Sequence, residues 1–587
     1  MSRATVVRYH DGTKHHFHRF AQSLGYLDWA SQPDPFRSFA GAPTVPLQLG
    51  GGETFGGVAY DQLFQPDLIA PRELSAASIG GLLRHALGLS AWKQFRESRW
   101  ALRVNPSSGN LHPTEAYVVA GPVSGLSDAA GVYHYAADRH VLEARSTFSA
   151  DAWRASCGGR SAFLIALTSI HWREAWKYGE RAFRYCQHDL GHAIAALRLS
   201  AALAGWRLAL QPSWPHRAVA ALIGIDRDED YMEAEREEPA CLLLVTADAG
   251  APVSGDVPTA LAEAARLGVW QGRANQLSAD HVEWTFIDEA ARATQDAGRT
   301  PPAQRFPMLA GLHPRSLALR RSKTRDARAG RRRSLPARPA LPAHAIILQR
   351  RSALAFDGRS SIDRDGFLRM LSRVMPGAHA PWDALWWDAR IHLVLFVHRV
   401  DEVEPGLYLL PRDRRSIDRL KASFGREFLW EPASDPGNDV PLLRLARGDC
   451  RRVAARLSCD QDIAADGFFS LAMLADFDAS LDELGASFYR QLFWESGVVG
   501  QVLYLEAEAA GARATGIGCF YDDAVHDVLG IDGDSGDSGD SGDRGHRGHA
   551  FQSLYHFTIG MPSEDARLTT APGYAWEQTA AAPPAID

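Results

Sequence analysis

Apolar positions along the chain follow a plan that occurs twice. From Ala182, small and apolar residues set among Arg, Gln and His predict a long helix stopped at Gly205; the strand Leu208-Ala-Leu-Gln-Pro212 and an Ala-rich helix closing on Leu222-Ile-Gly-Ile-Asp226 come next. Far downstream, Tyr489 to Gly511 predicts a second such helix, followed by a Gly-rich strand and Val525-His-Asp-Val-Leu-Gly-Ile-Asp532. Each helix carries glycine inside it, Gly191 in one and Gly497 and Gly500 in the other. Upstream, a strand over Tyr117–Ala120 precedes Gly131-Val-Tyr-His-Tyr135, and a strand over His392–Val397 precedes Gly406-Leu-Tyr-Leu-Leu410. A repeat of roughly 300 residues is far longer than a solenoid unit and signals two whole domains. We expect them at 1–250 and 339–587, joined by a connector at 251–338, each an α+β unit with a mixed, antiparallel-rich sheet flanked by helices.

The chain is long enough for this, since single cores seldom grow past roughly 250–300 residues and 46% of its 587 residues are apolar. Within the connector, Ala251 to Thr300 reads as helical, and the basic run Arg315 to Arg338 reads as an exposed linker. The period-three run Asp534-Ser-Gly to Asp543 has no apolar anchor and predicts a disordered insertion over 533–549. A net charge of −7 gives no reason to expect a nucleic-acid partner. Arg198 and Arg207 interrupt the most apolar helical region, so no membrane span is expected. Six cysteines without a C-x-x-C pair suit reduced thiols in a cytoplasmic protein. His188 and His192 have metal-ligand spacing, but Asp189 replaces the Glu that a zinc protease needs, and no metal is expected. His10, His15, His16 and His18 are expected on a solvent-facing strand or arm.

Candidate chemistry begins at Pro106-Ser-Ser-Gly-Asn110, a cluster of turn-forming residues with short polar side chains running into an apolar strand. Pro106, Ser107, Ser108, Gly109 and Asn110 can hydrogen-bond a flat heteroaromatic ring. The loop resembles the Pro-Ser-Ser-x-Asn flavin loop of nitroreductase-like FMN enzymes, more closely of their SagB-type branch. Gly131-Val-Tyr-His-Tyr135 and Lys177 to Tyr185 followed by Asp189-Leu-Gly-His192 are similar to further segments of that family. The resemblance implies two tandem-duplicated nitroreductase-like domains. The family's FMN sites lie at the interface of symmetric dimers, so the fused halves would form an intramolecular pseudo-dimer and the chain would act as a monomer.

The halves differ in what they retain. Gln349-Arg-Arg-Ser352 is similar to the family's phosphate-binding Arg-Arg-Ser segment, with Leu354 where a later Arg is expected. Arg350, Arg351 and Ser352 are therefore candidate phosphate ligands; Gly516, Ile517, Gly518 and Arg567 are further cofactor-binding candidates, and the loop and the Arg pair would serve one competent FMN site. Lys177 and Tyr178 resemble the Lys-Tyr pair of SagB-type azoline dehydrogenases and are the catalytic candidates. The resemblance implies an FMN-dependent oxidoreductase passing hydride between substrate and flavin N5, with azoline-to-azole oxidation in a modified peptide as one such reaction and oxygen as one acceptor. An NAD(P)H-dependent reductase of small nitro or quinone substrates, and a non-catalytic flavin-binding or scaffold protein of a biosynthetic complex, are the alternative functions.

Overall fold

The computed structural model describes residues 2–49, 57–65, 67–248, 257–300, 341–434, 440–531 and 549–574. The basic linker at 315–338 and the Asp-Ser-Gly run at 534–543 lie outside the described residues. Two sheets dominate. The first is built, in chain order, from Thr114–Ala120, Ala130–Ala136, Val141–Phe148, Ala162–Ser169, Arg207–Leu210 and Glu238–Thr246. The second is built from Ile391–Val397, Gly406–Leu410, Leu443–Arg447, Phe469–Asp476, Arg513–Ile517 and Phe551–Gly560. In both, the strands lie side by side in the order third, second, first, fourth, sixth, fifth. All pairings among these strands are antiparallel.

The central strands read as unbroken apolar runs because both sheet faces are covered. Along Ile391–Val397, Leu393, Leu395 and Val397 enter the shared inner core, while Val394 and Phe396 enter an outer one. Along Ala162–Ser169, Phe163, Ile165 and Leu167 face inward, and Leu164 and Ala166 face outward. The result is a layered body with outer helices, a sheet, a central helical layer, the second sheet and its outer helices. The inner core draws on both halves.

Two 22-residue helices, Ala182–Leu203 and Phe488–Ala509, form the centre. They are buried all round, which explains the absence of a polar stripe. Aligned end to end, they pair Gly191 with Gly497 and His188 with Trp494. A methyl group on Gly191 would collide with the Trp494 carbonyl, and one on Gly497 with the His188 carbonyl. This reciprocity is what a two-fold relation between the helices requires. Only glycine allows backbone contact this close, so Gly497→Ala is expected to cost about 1–3 kcal/mol through overpacking, read as a lower urea midpoint.

Both chain ends reach across the body. Residues Ser2–Gly12 form a helix against the second half: His10 is buried, with its ring nitrogens 3.3 Å from the Tyr489 hydroxyl and 3.0 Å from Gln552 Oε1. The expected solvent-facing strand or arm is corrected for His10, which lies on this packed helix, and for His15, which is buried just beyond it, whereas His18 is exposed. The helix's apolar contacts come from few residues, Val6 and Tyr9, with the polar His10 buried beside them. At the other end, Thr569–Pro572 pairs with Leu89–Phe95, which pairs in turn with Ser98–Arg103. Of the stretch expected to be helical up to Thr300, the described part holds only the short helices Ala260–Arg266 and Thr285–Ala293. Gly268 and Gly272, the latter at φ +81°, interrupt it.

Candidate functional site

The hairpin Leu89–Phe95/Ser98–Arg103 delivers the chain into the Pro106–Asn110 loop. Ser108–Asn110 forms a single tight turn, with Gly109 at φ +59° and Asn110 at φ +61°. Gly109 has a second reason to lack a side chain, since a Cβ there would stand 2.7 Å from the Tyr178 hydroxyl. The loop is braced from below: Asp189 on the first central helix accepts from the Ser108 N–H at 3.1 Å and from its hydroxyl at 3.2 Å. Asn110 donates its amide to the Ala101 carbonyl at 2.8 Å, and its carbonyl lies 3.1 Å from His112 Nε2. Ser108 and Asn110 side chains thus fix the loop's shape.

Across the cleft, helix Ala343–Gln349 leads into Arg350–Ser352. Arg350 is buried over the Tyr504 ring and donates to the carbonyls of Val104 at 2.9 Å and Arg103 at 3.1 Å. Arg351 donates to the Ser90 carbonyl at 2.7 Å. The cations of the second half are therefore held by the backbone of the first. Ser352 Oγ lies 3.0 Å from the Tyr504 hydroxyl, which accepts from the Gly516 N–H at 2.9 Å. A Cβ on Gly516 would collide with the Tyr555 hydroxyl, and one on Gly518 with the Tyr185 ring. These glycines let backbone pass where Tyr555 of the neighbouring strand and Tyr185 of the first half already stand.

Together these elements enclose a cavity of about 440 Å³. Pro106, Ser107, Ser108, Gly109, Asn110, Tyr178, Arg350, Arg351, Ser352, Gly516, Ile517 and Gly518 all line it. Lys177 and Arg567 do not. Lys177 is exposed, with Nζ 5.3 Å from the centre of the Tyr178 ring. Consecutive residues of a helix diverge by about 100°, so its neighbour's presence in the cleft turns Lys177 away. Arg567 keeps 74% of its side chain exposed and pairs locally with Asp565. Around Lys177 the charged residues Arg173, Glu174, Arg181 and Arg184 are all buried.

Asp189, Tyr185, Tyr504, Tyr555, Arg513 and Cys519, none of them a site candidate from sequence, complete the wall. Apart from Asp189 and Tyr185, which sit within a segment noted for its resemblance, nothing local marks them. Burial pushes the Asp189 carboxyl up to about 7 against the serine hydrogen bonds that lower it. Burial, then the Asp189 charge, pushes neighbouring Glu174 well up. Burial also pulls Arg351 down to about 9, with Arg350 adding to the effect, and pulls Arg350 down. Two guanidiniums that lose solvation in this way form a site that gains from an anion. Arg350 Nη1 and Asn105 Oδ1 are buried at the cleft without a protein partner. The volume, the orphaned donor and acceptor, and the paired cations fit a flat heteroaromatic ring with a phosphate tail.

At the two-fold-related position, described residues pair with one another. Helix alignment places Arg198 opposite Tyr504 and Glu495 opposite Asp189. Arg198 makes a two-pronged pair with Asp383 at 2.9 and 2.6 Å, beside a space of only about 30 Å³. Glu495 is capped by Arg412, the Trp387 indole at 3.0 Å and the N–H groups of Arg390 and Ile391.

Sheet order, the buried central helices and the interhalf cleft define a nitroreductase-like α+β fold. Residues 79–234 match the Nitroreductase family model. A putative nitroreductase from Anabaena variabilis superposes over 95% of this chain and 99% of its own, with a TM-score of 0.63 at 20% identity. The trifolitoxin-processing protein TfxB of Rhizobium leguminosarum bv. trifolii is 31% identical over 168 residues, or 27% of this chain. That match spans 44% of TfxB. No described helix is long and apolar enough to cross a membrane.

Proposed function

We propose that this chain is an FMN-dependent oxidoreductase of the SagB type, arisen by tandem duplication, that acts on a modified peptide and carries one flavin per chain. The observation that carries this reading is the meeting, in one cleft, of Pro106–Asn110 from the first half with Arg350–Ser352 and Gly516–Gly518 from the second. The similarity to a trifolitoxin-processing protein supports the choice of a peptide substrate. Arg350, Arg351 and Ser352 would hold the phosphate, and the Pro106–Asn110 loop would hold the ring. The flavin supplies the hydride acceptor. The chain's own residues orient substrate and handle protons. Asp189, pushed to about 7 by burial, can hold or release a proton near neutrality at the cleft floor. Tyr178 is the member of the candidate catalytic pair that lines the cleft, and Lys177, exposed outside it, is given no catalytic role.

The test is an absorbance spectrum of the purified full chain with flavin quantified against protein. One FMN per chain is expected. A colourless protein that takes up no added FMN would sink the flavin reading, and two per chain would sink the division of labour between the halves.

A further inference from the structure

Cys459 and Cys519 meet beside the cleft, 60 residues apart in sequence, with Sγ atoms 2.8 Å apart. Both are free thiols and both are partly exposed. Cys519 lines the cavity directly after Gly518. Cys459 sits in a left-handed turn, at φ +53° with Asp460 at φ +56°, that aims it at its partner. Gln461, also in the cavity wall, clamps the pair by donating to the carbonyls of Ser458 at 2.8 Å and Cys519 at 3.1 Å. Such a clamped frame leaves the sulfurs needing only a small approach to reach a bond of about 2 Å.

We propose that Cys459 and Cys519 form a reversible dithiol–disulfide couple that opens onto the cleft and exchanges two electrons with low-molecular-mass disulfides. Cys519 lines the cavity and Cys459 does not, so Cys519 is the sulfur an incoming disulfide meets first and, as its thiolate, the attacking group. It displaces one thiolate from the incoming disulfide and forms a mixed disulfide. Cys459, as its proton leaves, attacks Cys519 Sγ and releases the second thiol. The protein loses two electrons and two protons, and the small disulfide becomes two thiols.

The experiment uses the reduced, desalted full chain incubated with oxidised glutathione and read by intact mass and peptide mapping, so it is independent of flavin content. The expected product has lost two hydrogens and contains one cross-linked peptide joining Cys459 to Cys519. Cys459→Ser is expected to retain a single glutathione on Cys519, and Cys519→Ser to form no cross-link. A wild-type chain that stays reduced, keeps glutathione adducts without the cross-link, or links other cysteines would overturn the proposal.

Discussion

Replacing Asp522 with alanine is expected to destabilise the protein by about 3–5 kcal/mol, because it leaves two buried guanidiniums without their counterion. Asp522 is fully buried and accepts from Arg181 at 2.9 Å, Arg184 at 2.7 Å and the His15 N–H at 2.8 Å. One carboxylate thereby joins the N-terminal segment, the first central helix and the second half. Arg181 and Tyr185 also donate to the Gly518 carbonyl, at 3.3 and 3.1 Å, so the damage extends to the cleft wall. Burial alone would raise the Asp522 carboxyl; Arg181 and Arg184 prevail and hold it well below the usual carboxylate range. A depressed folded-state value means that this stabilisation is present above the unfolded value, about 3.9, and is lost as pH falls through the folded one. Urea midpoints of wild type and variant should differ widely at pH 7 and converge only in strong acid. Equal midpoints at pH 7 would refute the role given to this carboxylate.

Arg350→Ala should weaken FMN binding by roughly a hundredfold, given the flavin reading above. A charge-assisted hydrogen bond contributes about 1.5–3 kcal/mol, and about 1.4 kcal/mol is a factor of ten. Arg350 stands at the strong end because its other donors pin the Arg103 and Val104 carbonyls, which lead into the Pro106–Asn110 loop. Arg567→Ala is the matched control. Its exposed pair with Asp565 contributes little, and FMN affinity should stay within about twofold. Titrating flavin-free protein with FMN and following fluorescence quenching separates the two variants. An Arg350→Ala chain that binds as wild type does would remove Arg350 from the phosphate site.

The candidate site was partly legible because some of its parts are continuous in sequence. Pro106–Asn110, Arg350–Ser352 and Gly516–Gly518 are short segments whose chemistry shows in neighbouring residues. Lys177 and Tyr178 were legible as a pair but not as individuals, since adjacent helical positions face different directions. Asp189 looked like part of a metal spacing; only folding puts it beneath Ser108. The Ser2–Gly12 helix was misread because its buried face includes His10, whose partners lie more than 470 residues away.

By itself the sequence determined the local matters: two helix-strand-helix copies, α+β halves, glycines within both long helices and the loop that turns on Gly109. These follow from side-chain period and backbone freedom over a few residues. Only the tertiary structure decided that the glycines meet reciprocally, that one cleft opens between the halves while Arg198–Asp383 and Glu495–Arg412 pair at the related helix positions, and that Cys459 touches Cys519. Each of these depends on groups distant in sequence sharing one volume, and no local pattern encodes which of them will be left without a partner.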